Sequence, residues 1–217
     1  MKLRIASLTI FCLMLAGVPA WADWSYNNGP INGTTDAWTI NFGYVVSNTF
    51  FTSGQSVTSF SFGAWLFPGD TVTSVDWSIT DSEFGRCPSD DCLGNGTASG
   101  ANLTDKFISS NQYGYNVDLI TASINVAVPQ GVELWLNLAN ASVASGDPVY
   151  WDENSGAGCT GDMCPSSASE SALGTIPSEA FTIGGGSGGG TTPEPSSIML
   201  FGSGILGLAG LLRRRLF

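Results

Sequence analysis

Histidine is missing from all 217 residues. Without an imidazole the chain has no Ser-His-Asp or Cys-His nucleophile, no histidine metal ligand and no side chain built to titrate near neutrality. It also lacks a Gly-x-Ser-x-Gly elbow, a phosphate-cradling glycine loop and a dinucleotide fingerprint. Positive charge is scarce: seven Lys and Arg stand against eighteen Asp and Glu. Seventeen of the acidic residues precede Pro193, while only Arg86 and Lys106 are basic between Asp23 and that point, so this stretch carries a formal charge near −15. Such a field repels phosphate backbones and anionic lipid, which excludes nucleic acid as a partner. Paired carboxylates are the one catalytic device left, because glycoside hydrolysis needs only two Asp or Glu across a cleft. The suggestive place is Asp152-Glu153 beside Trp151. Neighbours on a strand point to opposite faces, so these two do not form a pair with each other. The reading is therefore of a protein without catalysis and without a cofactor, with a carboxylate-based glycoside hydrolase as the weaker alternative.

The two ends of the chain carry the most explicit patterns. Lys2 and Arg4 precede an apolar run from Ile5 to Val18, followed by Ala20-Trp21-Ala22. That order is a secretory signal peptide, to be cut by signal peptidase between Ala22 and Asp23. An uncleaved N-terminal anchor is the competing reading, and the apolar run is short for one. At the other end Pro193-Glu194-Pro195 is followed by fifteen uncharged residues, Ile198 to Leu212, and then by Arg213, Arg214 and Arg215. As a helix the uncharged run spans about 22 Å at ~1.5 Å per residue, short of a ~30 Å hydrocarbon core. Extension back to Pro195 and snorkelling of the arginines lengthen its reach. The positive-inside rule leaves the arginines in the cytoplasm and everything before Pro193 outside.

This tripartite tail closely resembles the PEP-CTERM sorting signal, in the residues Pro193, Glu194 and Pro195, the apolar helix, and the cluster Arg213 to Arg215. The resemblance implies a membrane protease-transpeptidase, exosortase, as partner, with a cut near the Pro-Glu-Pro. It implies an exported protein of a Gram-negative bacterium, held in the inner membrane by its C-terminal helix before processing and then passed to the cell surface or the extracellular matrix. It further implies association with exopolysaccharide and biofilm. Thr192 stands where many family members have Val. The resemblance covers the tail alone and leaves the domain in front of it unassigned. A tail anchor that is never cut is the alternative.

Cys12 leaves with the signal peptide, and four cysteines remain: Cys87 and Cys92, and Cys159 and Cys164. An even count in an exported chain indicates disulfides. Of three connectivities the two local pairings are favoured; loops this small gain little from chain entropy, so the bridges serve to pin loops. A zinc site is disfavoured by the oxidising compartment, the four-residue spacers and the missing histidine.

Between signal and tail, residues 23–183 read as strands. Trp38, Ile40, Phe42, Tyr44 and Val46 alternate, as do Phe60 to Leu66, Thr73 to Ile79, Tyr113 to Leu119, Ala122 to Val128 and Val132 to Leu138, with a last strand over Ala180 to Ile183. Period two with Gly, Pro, Asn and Asp at the turns indicates half-buried antiparallel strands. Seven to nine such strands close by packing sheet on sheet, which predicts an all-β antiparallel sandwich, jelly-roll-like in order, flanked by the signal helix and the membrane helix. Residues 184–192, Gly-rich, are a flexible linker with an r.m.s. reach of roughly 15–18 Å.

Asp147 to Ala172 breaks the pattern and reads as a long stapled loop, with a helical turn near Ser167 to Leu173. Trp38 and Trp77 share faces with aliphatic neighbours and belong to the core. Trp135, set between Glu133 and Asn137, and Tyr150 with Trp151 in the polar loop are the candidates for stacking a sugar ring. Glycan binding by the sandwich is thus the alternative to a purely structural surface protein. Asp147, Asp152 and Glu153 supply oxygen ligands for a weak calcium candidate, which no EF-hand spacing supports.

Overall fold

The computed structural model describes residues 23–85, 87–160 and 162–186. The signal segment with Ala20 and Ala22, the tail with Pro193 to Arg215 and most of the Gly-rich linker lie outside the described residues. Among the described residues no helix is long and apolar enough to cross a membrane.

Among the described residues thirteen strands form two antiparallel sheets. The first contains β1 (Trp24–Asn27), β2 (Asp36–Thr39), β4 (Ser56–Leu66), β7 (Leu103–Ser110), β8 (Asn116–Ala127), β10 (Tyr150–Glu153) and β13 (Phe181–Gly185). Its spine is β4. One edge of β4 pairs along its length with β8, and β8 with β7; the other edge is divided between β13–β1 and β10–β2. The second sheet runs β12 (Gly174–Ile176), β11 (Ala168–Glu170), β3 (Val45–Phe51), β9 (Glu133–Val143), β5 (Val72–Thr80), β6 (Cys92–Ser99). The expected antiparallel sandwich is the architecture found.

Alternation explains the core. Phe60, Phe62, Ala64 and Leu66 from β4 meet Ile120, Ala122 and Val126 from β8 on one inner face. Val46 and Phe50 from β3, Val75 and Ile79 from β5, and Leu134, Leu136 and Leu138 from β9 form the other. Trp38 and Trp77 are half-buried against this core. Each large side chain taken out of water contributes roughly 1.5–3 kcal/mol, so the sheets are held chiefly by this layer.

Three expectations about strands need correction. The alternation from Trp38 to Val46 is not one strand: β2 ends at Thr39 and β3 begins at Val45. Between them Phe42 and Gly43 take left-handed backbone (φ 56° and 89°) and Tyr44 N–H donates to Asn41 O at 3.1 Å. The turn carries the chain from one sheet to the other and leaves Phe42 and Tyr44 outside, 65% and 42% exposed. Second, Tyr113 and Tyr115 belong to a hairpin tip in which both their N–H groups donate to Asn111 Oδ1 at 3.0 Å. The strand itself is continuous over 116–127, with Ile120 rather than Leu119 facing the core. Third, the stretch 147–172 contains β10 and β11, and 167–173 is a strand and a turn, not a helical turn.

A buried polar network holds the stapled segment between the sheets. Asn28 Nδ2 donates to Ser178 Oγ (2.6 Å), Ser166 Oγ donates to Asn28 Oδ1 (2.8 Å), and Asn48 receives Glu179 N–H on Oδ1 (2.8 Å). All of these residues are under 9% exposed. The mutual satisfaction of the Asn28, Asn48, Ser166 and Ser178 side chains makes their burial tolerable; removing one of them leaves the others unpaired.

Candidate functional site

The sugar-stacking candidates separate in space. Trp135 lies on the outward side of β9, half-buried, in register with Thr49 and Thr80. Tyr150 belongs to the other sheet. It is half-buried, edge-on to Tyr115 at 5.6 Å, and burial, first, with a hydrogen bond to Tyr115 raises its hydroxyl pKa. Trp151 is 0% exposed: its ring meets Phe62 and Phe181 edge-on at 5.9 and 5.7 Å, and its Nε1 donates to Ala180 O at 3.0 Å. It is a core residue and offers no face to a ligand.

The carboxylates of the calcium candidate do not converge. Asp152 faces outward under the loop 30–34, where it accepts from Asn32 N–H and Gly33 N–H (2.9 Å each) and from Trp65 Nε1 (2.6 Å). Burial raises its pKa against the opposing pull of these donors. The loop reaches it because residue 33 is Gly, at φ 63°, where a Cβ would come within 2.6 Å of Val117 Cγ2. Glu153 points the other way, accepting from Trp38 Nε1 (3.3 Å) and Ser155 Oγ (2.8 Å). The opposite orientation of the two is what their adjacency on a strand requires. Asp147 is tied through its backbone to Asn41 and Ser145. Among the described residues no group of three or more His, Cys, Asp or Glu is placed to hold a metal ion.

Both cysteine pairs are joined as expected, Cys87 to Cys92 and Cys159 to Cys164. The first staples a loop, 81–91, that folds back over the outward face of the second sheet. Phe84 N–H donates there to Ser47 Oγ and Asn137 Oδ1, both at 3.1 Å, and Asn137 Nδ2 donates to Thr80 Oγ1 at 2.8 Å. Beside this wall opens a groove of about 480 Å³. Its floor is polar: Asp76 accepts from Thr97 Oγ1 and from Asn140 Nδ2 (2.9 Å), with Asn95 alongside. Phe84 and Tyr44 flank it. A second hollow of about 300 Å³ adjoins, lined by Phe42 and Asp147 and sharing Asn140.

Asn140 owes its position to a bulge. On β9 two residues, Asn140 and Ala141, stand where β5 has one, and Asn140 has φ 47°. Bulges re-aim a side chain out of strict alternation. Here the result is a carboxamide turned onto Asp76.

Another carboxylate pair lies apart from both hollows. Asp118 on β8 is 3% exposed, has no partner on Oδ1, and hydrogen-bonds through its carboxyl with Asp105. Burial first, then that bond and the Asp105 charge, push its pKa up to about 7. The pair lines neither of these two hollows.

Residues 191–215 match the PEP-CTERM protein-sorting motif. No curated protein and no solved structure matches this chain. The motif marks the chain as an exported substrate of exosortase, passing through a membrane-anchored intermediate to the cell surface of a Gram-negative bacterium.

Proposed function

We propose that this chain is a non-catalytic protein of the cell surface or extracellular matrix, associated with exopolysaccharide and biofilm. It leaves the cytoplasm by a signal peptide, pauses in the inner membrane on its C-terminal helix, and is cut near Pro193 to Pro195. The observation that carries this is the sorting motif at 191–215, placed after a Gly-rich linker that lets the β-domain be released by a single cut. The absence of histidine supports the lack of catalysis. The test is the intact mass of the extracellular form from an exosortase-bearing host: a chain starting at Asp23 and ending near the Pro-Glu-Pro is expected, and a species still ending at Phe217 refutes processing.

A second reading, glycan binding by the β-domain, is favoured by the polar, aromatic-flanked groove on the second sheet. Small-molecule clefts of ~300–1,000 Å³ that combine apolar walls with a few fixed polar groups are the usual form of a binding site.

A further inference from the structure

We infer that the two adjoining hollows form one elongated site for a neutral polysaccharide chain, with Phe42 and Tyr44 as ring platforms and Asp76 and Asn140 as the hydroxyl-reading pair. This rests on the glycan-binding reading and assigns it a place and a ligand class.

Four observations converge. Phe42 and Tyr44 flank one turn, each lining a different hollow, and both are exposed where apolar rings ordinarily hide. A ring face in water flanked by polar groups suits the apolar face of a sugar, which offers C–H groups on one side and hydroxyls around its edge. Asn140 lines both hollows, so a chain lying across the turn passes its carboxamide.

Second, Asp76 and Asn140 already bond to each other, and each keeps capacity for a hydroxyl. A carboxylate accepts at two oxygens and a carboxamide both donates and accepts. Third, among the described residues five non-glycine residues hold left-handed backbone, and three of them, Phe42, Phe84 and Asn140, line these hollows. Such strain persists where the surrounding structure imposes it and gathers at binding sites. Fourth, Asp76 and Asp147 put two carboxylates on the lining. Both are anionic, within a body already near −15. Uronate and sulfate chains are therefore repelled, which selects a neutral ligand.

The experiment is affinity electrophoresis of the full chain, held in a zwitterionic detergent, through native gels containing barley β-glucan, xylan, galactomannan, dextran or, as the anionic control, alginate. Retardation in at least one neutral gel is expected, with none in alginate. Tyr44→Ala and Phe42→Asn should each weaken binding about tenfold. Asn140→Gly keeps the left-handed backbone while deleting the carboxamide, and should weaken it by a similar factor. Trp135→Ala and Tyr113→Ala should bind as the parent does, and circular dichroism of every variant serves as the folding control. Failure of the parent in all five gels, alginate included, overturns the glycan reading itself. Retardation that survives all three hollow variants, or is lost in Trp135→Ala or Tyr113→Ala instead, overturns this site and leaves that reading standing. Retardation confined to alginate overturns the ligand class. Membrane fractionation of the same variants should show unchanged sorting, so a sorting defect is read separately.

Discussion

Replacing Asp118 with Asn should make the protein lose less stability as pH rises. The carboxyl is 3% exposed beside Asp105, whose Oδ2 is already occupied by Val72 N–H at 2.7 Å. With Asp105 held as the acceptor, Asp118 keeps the proton, and its pKa rises to about 7. In the unfolded chain an Asp titrates near ~3.9. The folded state therefore binds the proton more tightly. Its contribution is fully present below about pH 4, falls by up to ~1.36 kcal/mol per pH unit above that, and is gone once pH has passed through 7. Three units give ~4 kcal/mol without screening. Asp105 is half-exposed and water reaches the pair from its side, so about half of that, ~2 kcal/mol, is the expected effect.

Asn has the shape of Asp, stays neutral and can donate its amide to Asp105. The assay is urea unfolding of the full chain followed by tryptophan fluorescence at pH 4.5 and 8.5, parent and variant side by side. Between the two pH values the parent should lose ~2 kcal/mol more than the variant, a midpoint shift of about 1 M at a urea slope of ~2 kcal/mol/M. Asp152 and Glu179 also have raised pKa values, so they tilt both curves in the same direction and cancel in the comparison. Asp91, held low chiefly by hydrogen bonds from Ser82 and Ser89, acts only at more acidic pH. Parallel curves for parent and variant would show that Asp118 is not the proton's site.

Glu179 is 0% exposed with neither oxygen partnered, and burial, with the charges of Glu153, Asp152 and Asp36, raises its pKa well above the ordinary value. Its stability term is likewise lost with rising pH, so Glu179→Gln should raise the urea midpoint at pH 8 and change it little at pH 4. Asp152→Ala strands the Asn32, Gly33 and Trp65 donors and should cost ~3–5 kcal/mol, measured as a fall in thermal midpoint. Non-reducing peptide mapping of the exported form should recover Cys87–Cys92 and Cys159–Cys164 and no cross-link between the pairs. Arg213, Arg214 and Arg215 changed together to Ser should reduce membrane retention and processing while the β-domain keeps its circular dichroism, since each charge opposes passage by ~2.5–3.5 kcal/mol; equal fractionation of both forms refutes the stop role.

Period two found the strands that have one wet face and one dry one. β4, β5 and β9 alternate in sequence and are central in their sheets, and the final strand sits within two residues of where Ala180 to Ile183 placed it. What escaped were strands whose burial is decided from outside. β10 reads Tyr-Trp-Asp-Glu, a polar loop by composition, yet it lies between β4 and β2 with Trp151, Asp152 and Glu153 all buried. The loop 30–34 covers Asp152 from above, and nothing local to residue 152 announces a partner 120 positions away. β6, Cys-Leu-Gly-Asn-Gly-Thr-Ala-Ser, carries almost no apolar alternation because it is an edge strand facing the groove.

The groove itself left one mark in the sequence. Leu134, Leu136 and Leu138 alternate toward the core, and the next position in phase, residue 140, is Asn; the buried set then resumes out of phase at Ala141 and Val143. A one-residue slip in an otherwise strict alternation is the signature of a bulge, because an uncorrected slip would turn every later side chain to the wrong face. Read that way, Asn140 is a residue deliberately taken out of the core pattern. The tail is legible because exosortase sorting depends on a contiguous order of proline, apolar helix and arginine. Asn140, by contrast, gains its meaning from Asp76, sixty-four positions earlier, and from a turn at Phe42 and Tyr44 that belongs to a third strand connection. The break in phase tells where to look, and only the folded sheet tells what stands opposite.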